Sequence, residues 1–269
     1  MELEGRVAIV TGGARGIGQG IAIELARAGA DIVVGDLVDR AELADDAAKT
    51  VAQVEAQGRK ALTVRCDVTR EEDCDALVAA ALEAFGRLDV VVCNAGVMGI
   101  SPVAETTLEE WERVLRVNTT GTFLTCRAAL PHLTSQGEGS IVNIASVAGL
   151  RASGGRSQYT ASKFAVVGFT QALAAEVAKD GVRVNCVCPS SVRSAMTVGE
   201  LADVVGMDDL DAADDMWTQV AAKRLPLGRS VEPADIGRAV VYLCQEDMVV
   251  GAALPVTGGE GLPTRKAPR

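Results

Sequence analysis

The sequence predicts an α/β fold, a single domain built on a doubly wound, seven-stranded parallel sheet with helices on both faces. Two observations carry that expectation. Short β-branched runs alternate with longer Ala/Leu-rich amphipathic stretches along the chain, a rhythm that implies right-handed crossovers between parallel strands. The β-branched runs are also apolar almost continuously rather than at every second residue, as strands buried on both faces must be. The size agrees: 269 residues, 48% of them hydrophobic, fill one large domain. No internal repeat or Pro/Ser-rich linker divides it.

Taken in order, VAIV (7–10) opens the sheet and a helical pattern follows at about 17–28. DIVVGD (31–36) leads to a helix at 41–57, and ALTVRCD (61–67) to one at 71–85. LDVVVCN (88–94) precedes a long helical stretch at 107–135, and SIVNIAS (140–146) precedes another at 159–180. VRVNCVCP (182–189) is the sixth strand, and ALPV (253–256) is a weaker seventh after a helix at 232–244. Residues 190–223 break the rhythm with an acidic cluster of Glu200, Asp203, Asp208, Asp209, Asp211, Asp214 and Asp215. The segment follows the sixth strand, where an α/β sheet places its ligand crevice. It reads either as a solvated helical excursion or as a mobile lid at about 190–223, with Met196, Leu201, Val205 and Met207 facing inward.

Composition excludes several classes. The net charge of −10 argues against nucleic-acid and anionic-membrane partners. Only Arg265, Lys266 and Arg269 gather near one end, as a solvated tail. Seven widely spread cysteines with no CxxC pair suit buried free thiols in a reducing cytosol, not a disulfide framework. Cys186 and Cys188, two apart in a strand, share a face as small core hydrophobes. One histidine, His132, rules out a His-rich zinc site, so no metal is expected. MELEGRVAIV carries acids where a signal peptide carries bases, and no apolar run approaches the roughly 18 residues that span a bilayer. A cytoplasmic protein is expected.

The first strand runs into TGGARGIG (Thr11 to Gly18) at the start of a helix. Here Gly12 permits a tight turn, Gly16 admits a pyrophosphate to the backbone, and Gly18 lets the helix pack against its strand. The helix N-terminus offers free N–H groups and a positive dipole end to phosphates. Asp36 closes the next strand 18 residues after Gly18. Its carboxylate suits the two ribose hydroxyls of adenosine and repels a 2′-phosphate, and Leu37 follows where a basic residue would welcome that phosphate. Loop and acid together are strong evidence for a Rossmann-type dinucleotide site. NAD is favoured over NADP, although Arg15 in the loop pulls the other way.

Tyr159 and Lys163 in YTASK are four apart in a helical pattern, so they share a face. A phenol with a pKa near 10 is too weak a base at neutral pH. An ammonium group a few Å away stabilises the phenolate and brings it toward the working range. Ser146 closes a strand with its hydroxyl available to orient a substrate oxygen.

Together these pieces resemble the short-chain dehydrogenase/reductase family over nearly the whole chain. The motifs stand in the family's order: TGGARGIG at 11–18, Asp36, CDVT at 66–69, NAG at 94–96, Asn118 in RVNTTG, Ser146, YTASK at 159–163, Pro189 and VTGG at 256–259. The resemblance implies that Tyr159 is the general acid/base and that Lys163 lowers its pKa and binds the nicotinamide ribose. Ser146 would hold the reacting oxygen, and Asn118 would anchor a water in a proton relay. Asp67 and Val68 would contact adenine, Asn94, Ala95 and Gly96 would line the middle of the cofactor, and Ile17 belongs to the phosphate loop. Pro189, Val192 and Ser194 would lie by the nicotinamide amide. One departure is Ser190, which stands where the family has glycine and would be strained in a glycine-only conformation.

The resemblance further implies an oxidoreductase that passes a hydride between NAD(H) and a secondary alcohol or ketone. The chain would divide into a cofactor-binding part at about 1–150 and a catalytic and substrate part at about 140–262. Family members are mostly homotetramers that pack the helices at 107–135 and 159–180 against partner copies. Apolar residues in the 190–223 segment, with Met98 and Ile100 after NAG, suggest a neutral, largely apolar substrate. Three alternatives remain: a non-catalytic NAD sensor or scaffold, a 3-oxoacyl thioester reductase, and an epimerase or dehydratase acting on nucleotide-sugars. Retention of Ser146, Tyr159, Lys163 and Asn118 opposes the first. The acidic cluster opposes the second, and the short C-terminal region opposes the third.

Overall fold

Seven strands form where the sequence expects them: β1 (Val7–Thr11), β2 (Asp31–Asp36), β3 (Ala61–Arg65), β4 (Val90–Cys93), β5 (Gly139–Ile144), β6 (Val182–Pro189) and β7 (Ala253–Val256). The computed structural model describes residues 1–262, without the side chains of Ala195, Met196, Glu200, Asp203 and Val204. The basic residues Arg265, Lys266 and Arg269 lie outside the described residues. All neighbouring strands pair in parallel, in the order β3-β2-β1-β4-β5-β6-β7.

Each central strand is buried on both faces. Along β1, Ala8 and Val10 enter one apolar core while Val7 and Ile9 enter a second on the opposite face. Along β4, Val90 and Val92 take the first core, and Val91 and Cys93 the second. Side chains alternate across a strand, so a run apolar at every residue requires helices on both faces. Those helices are α1 (Gly16–Arg27), α2 (Ala41–Glu55), α3 (Glu71–Phe85), α4 (Leu108–Leu115), α5 (Gly121–Gln136), α6 (Ser157–Val177), α7 (Ala195–Val205), α8 (Leu210–Arg224) and α9 (Pro233–Gln245). α1 and α9 pack so closely that a Cβ on Gly237 would lie 2.6 Å from the Gly20 carbonyl oxygen.

The chain leaves β1 toward β2 and β3, then returns to the other side of β1 as β4. A crevice opens at such a reversal, outside the carboxyl ends of the strands. The stretch expected as one helix at 107–135 is interrupted by a π-helical turn at Arg116–Thr120. Such turns insert an extra residue into a helix and recur at functional sites. Here the turn carries buried Asn118. The segment after β6 is helical, made of α7 and α8, whose apolar faces pack on each other through Val198, Ala202 and Ala213, with Met207 and Trp217 against them.

Candidate active site

A cleft of about 790 Å³ opens at the carboxyl ends of the strands, lined by residues from Gly12 to Glu260. It gathers every catalytic and cofactor-binding candidate from the sequence except Asn118: the glycine loop, Asp36, Leu37, Asp67, Val68, residues 94–96, Ser146, Tyr159, Lys163, Pro189, Val192 and Ser194.

At the cofactor end, backbone contacts fix the loop. Gly12 takes a φ of +62°, and its amide donates to the Gly35 carbonyl at 2.8 Å. A Cβ on Gly18 would lie 2.0 Å from the Gly12 carbonyl oxygen and 2.6 Å from Asn94 Nδ2. So Gly18 allows the helix to close over its own loop, a tighter constraint than the packing on a strand expected for it. Asn94 Nδ2 donates to the carbonyls of Thr11 and Gly12, both at 2.9 Å. Thr11 Oγ1 in turn accepts from the amides of Asn94 and Ala95.

These residues fit a dinucleotide. The N-terminal turn of α1 has no side-chain cap and no acidic residue, so its N–H groups and dipole end face the loop unopposed. α3, in contrast, places Glu71, Glu72 and Asp73 in its first turn. The Asp36 carboxylate accepts from the amides of Ala14 (3.0 Å) and Leu37 (2.8 Å). Each oxygen keeps a further lone pair for a ribose hydroxyl. Arg15 turns toward Asp46 of α2, 3.9 Å away. Burial works to raise the Asp67 pKa, but hydrogen bonds from the Thr69 hydroxyl and amide outweigh it and hold the carboxyl below its usual range.

At the reacting end, β5 and α6 supply the groups. Ser146 lies two residues past β5, capping a short 3₁₀ turn (Val147–Gly149), and its Oγ accepts from the Ala148 amide at 3.1 Å. That leaves its hydroxyl proton free to be donated. Tyr159 and Lys163 occupy one face at the start of α6, with Lys163 Nζ 5.6 Å from the centre of the Tyr159 ring. Lys163 is buried and donates to the Ile144 carbonyl at 2.8 Å. Burial lowers its pKa to about 8, a shift partly offset by the neighbouring Cys188 and Cys186 thiols. Those two cysteines share one face of β6, against Ala145 and Val166.

Asn118 lies behind the cleft. Its Oδ1 accepts from the Val97 amide at 2.8 Å, and its Nδ2 donates to the Val97 carbonyl (2.9 Å) and Ser162 Oγ (3.0 Å). The side chain thus braces the 96–97 backbone. Gly96 leaves room for it, since a Cβ there would lie 3.2 Å from Asn118 Oδ1 and 3.6 Å from Lys163 Nζ.

Two expectations need correction. No non-glycine residue among those described has a positive φ, so Ser190 is not strained, and its Oγ donates to the Thr257 carbonyl at 3.4 Å. Of the apolar residues expected to face the substrate, Met98 lines the cleft, but Leu201, Val205, Met207 and Ile100 do not. Val205 and Ile100 are exposed, and Met207 is used up in the packing of α7 on α8. The side chain of Met196 lies outside the described residues. Two members of the acidic cluster serve local needs: Asp209 caps α8 by accepting from the amides of Asp211 and Ala212, and Asp214 pairs with Arg193.

The sequence reading missed Arg151, Arg156, Thr197, Trp217, Arg224 and Glu260, which also line the cleft. The one available signal was helical spacing, since Trp217 and Arg224 are seven apart and share a face of α8.

Known proteins agree with this geometry. Residues 6–204 match the family model described as short chain dehydrogenase. The 4-formylbenzenesulfonate dehydrogenase TsaC1/TsaC2 of Comamonas testosteroni is 39% identical, over 97% of this chain and all of that one. The 2-(R)-hydroxypropyl-CoM dehydrogenase of Xanthobacter autotrophicus is 41% identical, over 94% of this chain and 97% of that one. The crystal structure of levodione reductase superposes with a TM-score of 0.85 at 30% identity, covering 95% of this chain and 97% of that one. With the family model and full-length relatives in agreement over one fold, the chain belongs to the short-chain dehydrogenase family and is an oxidoreductase of the alcohol dehydrogenase type.

Proposed function

We propose that the protein interconverts a secondary alcohol and a ketone with NAD as the preferred cofactor, on a neutral, largely apolar substrate. The observation that carries this reading is the meeting of Ser146, Tyr159 and Lys163 in one cleft with an uncapped glycine-loop helix and Asp36. Gly12, Arg15, Gly16, Ile17 and Gly18 would hold the diphosphate, and Asp36 and Leu37 the adenosine ribose. Asp67 and Val68 would flank the adenine, residues 94–96 the middle of the cofactor, and Pro189, Val192 and Ser194 the nicotinamide end. NAD would supply the hydride acceptor for the carbinol carbon.

The residues of the chain handle the proton and the orientation. Ser146 donates its hydroxyl proton to the reacting oxygen and fixes its position. Tyr159 takes the proton of the alcohol, or returns it to the ketone, and the charge on Lys163 favours the phenolate that does so. Asn118 holds the 96–97 backbone in place and would anchor a relay water. Asp36 favours NAD because a 2′-phosphate would meet a carboxylate, while Arg15 is engaged with Asp46.

The chain would use residues 1–150 for the cofactor and 140–262 for catalysis and substrate, with 190–223 as a lid. Seven buried free cysteines support a reducing, cytoplasmic setting, and no described helix is long and apolar enough to cross a membrane. Phe123 on α5 and Phe164 on α6 are exposed, which supports a homotetramer packed through those helices. The test follows NADH formation over a panel of cyclic, aryl and polyol secondary alcohols. Tyr159→Phe should keep NADH binding and lose about a thousand-fold in turnover; retained turnover would overturn the assignment.

A further inference from the structure

After β4 the chain runs across the start of α6 as a strap, residues 97–106, tied to the backbone of Tyr159 at one end and to its neighbour Gln158 at the other. At the near end Asn118 brackets Val97 and donates to Ser162 Oγ at 3.0 Å, and Ser162 Oγ donates to the Tyr159 carbonyl at 2.7 Å. At the far end the Ser101 amide donates to the Gly155 carbonyl at 3.0 Å, and Gln158 Nε2 donates to Ser101 Oγ at 3.2 Å. Ser101 Oγ donates in turn to Thr106 Oγ1 at 2.7 Å, whose own proton goes to the Pro102 carbonyl. The strap crosses α6 at Gly99, where a Cβ would lie 2.7 Å from Gln158 Cγ. Between these anchors Val97 and Met98 border the cleft that holds Tyr159. Arg113 of α4 donates to the Met98 carbonyl at 3.1 Å.

Gln158 is fully buried, yet it does not line the cleft. Burying so flexible and polar a side chain costs rotamer entropy and desolvation unless its bonds are made. Ser157 Oγ donates to its Oε1 at 3.2 Å, which leaves Nε2 aimed at Ser101. Successive helix residues point about 100° apart, so Tyr159 faces the cleft while Gln158 faces the strap.

We infer that Gln158 is a positioning residue that fixes the Met98 wall relative to Tyr159 and thereby sets which alcohols the enzyme accepts. The inference rests on the dehydrogenase reading of the cleft. Gln158 touches no reacting atom; it acts on the strap through Gly99 and Ser101, and the strap carries Met98. An apolar wall held in place distinguishes alcohols that differ by one methylene by about tenfold or more. A released strap lets Met98 give way, and that discrimination shrinks.

The test measures kcat/KM with NAD for a graded series of 2-butanol, cyclohexanol and 1-phenylethanol. Gln158→Leu removes the amide and keeps most of the bulk. NADH affinity should be unchanged, while the ratio between the best and the worst alcohol should fall about tenfold. Ser101→Ala should lower the ratio in the same way, and it decides the matter alone if Gln158→Leu does not fold. Met98→Ala should also flatten the series, and adding Gln158→Leu to it should change the ratio no further, as expected of residues that act through one another. A merely structural lesion would weaken every alcohol equally and leave the ratio in place. Equal use of the alcohols by the wild type, an unchanged ratio in a folded single variant, or a second full drop in the double variant overturns the inference and leaves the dehydrogenase reading standing. Silence of the wild type toward every alcohol, with NADH still bound, overturns both.

Discussion

The two ends of the cleft are built in different ways. At the cofactor end the contacts are mostly backbone: Gly12 to Gly35, Gly18 under the Gly12 carbonyl, and Asn94 across both turns. At the end proposed for the substrate, the lining includes side chains from elements far apart in the chain: Met98 after β4, Trp217 and Arg224 on α8, and Glu260 after β7. A backbone cradle tolerates few residues at each position, while a side-chain wall can change by single substitutions with the fold intact. One fold can therefore keep its cofactor and vary its substrate.

The largest effect is expected at Lys163, where the two ends meet. Its pKa is about 8 in the folded chain, below the ordinary value near 10.5. The unfolded chain therefore binds more protons between those values, and stability rises with pH across that window. At pH 7 the buried charge carries its full cost. Lys163→Met should then stabilise the chain by up to about 3 kcal/mol at pH 7, less the hydrogen bond to Ile144, with the gain fading by about pH 10.5. The same change should remove most turnover. Denaturant unfolding at pH 7 and pH 10 checks it, and equal stability of the two proteins at pH 7 would mean the charge is compensated.

Next comes the backbone cradle. Gly18→Ala places a methyl 2.0 Å from the Gly12 oxygen, and overpacking of this kind costs about 1–3 kcal/mol. NADH affinity, read by titration, should fall by about 10–100-fold. Unchanged affinity would show that the loop gives way and that the contrast between the two ends is overstated.

That contrast also explains what was legible beforehand. The strands could be read because both faces of each are apolar, as at Val7 to Val10, and the glycine loop because its constraints act within a few residues. Asn118 could be placed in the motif, but its three side-chain hydrogen bonds depend on a π-helical turn that periodicity does not signal. Ser190 was misjudged because glycine in the relatives' pattern does not by itself imply a positive φ. Glu260 and Arg224 went unread because 36 residues separate them, and only β7 brings them together. The inward face of the 190–223 segment was misassigned because its apolar residues pack helix on helix.

At Asp36 the expected effect is smaller. Asp36→Asn removes the charge but keeps an acceptor oxygen, and the NADP-to-NAD ratio of kcat/KM should rise about tenfold, roughly 1.4 kcal/mol. If the ratio does not move, the choice lies with Arg15, and breaking its pair with Asp46 becomes the informative experiment.

The smallest effect belongs to Asp214. The hydrogen bond and charge of Arg193 hold its carboxyl below the usual range, and the pair ties α8 to the loop carrying Val192 and Ser194. Both side chains are partly exposed, and such pairs contribute no more than about 1 kcal/mol, screened by salt. Asp214→Asn should leave NADH affinity unchanged and raise KM for the alcohol about two- to fivefold. Raising the salt concentration should narrow the gap between wild type and variant, because the wild type alone has a pair to screen. A loss of NADH affinity like that of Gly18→Ala would mean that α8 supports the cofactor as well, through Val192 and Ser194, and that the side-chain wall is not free to vary independently of the backbone cradle.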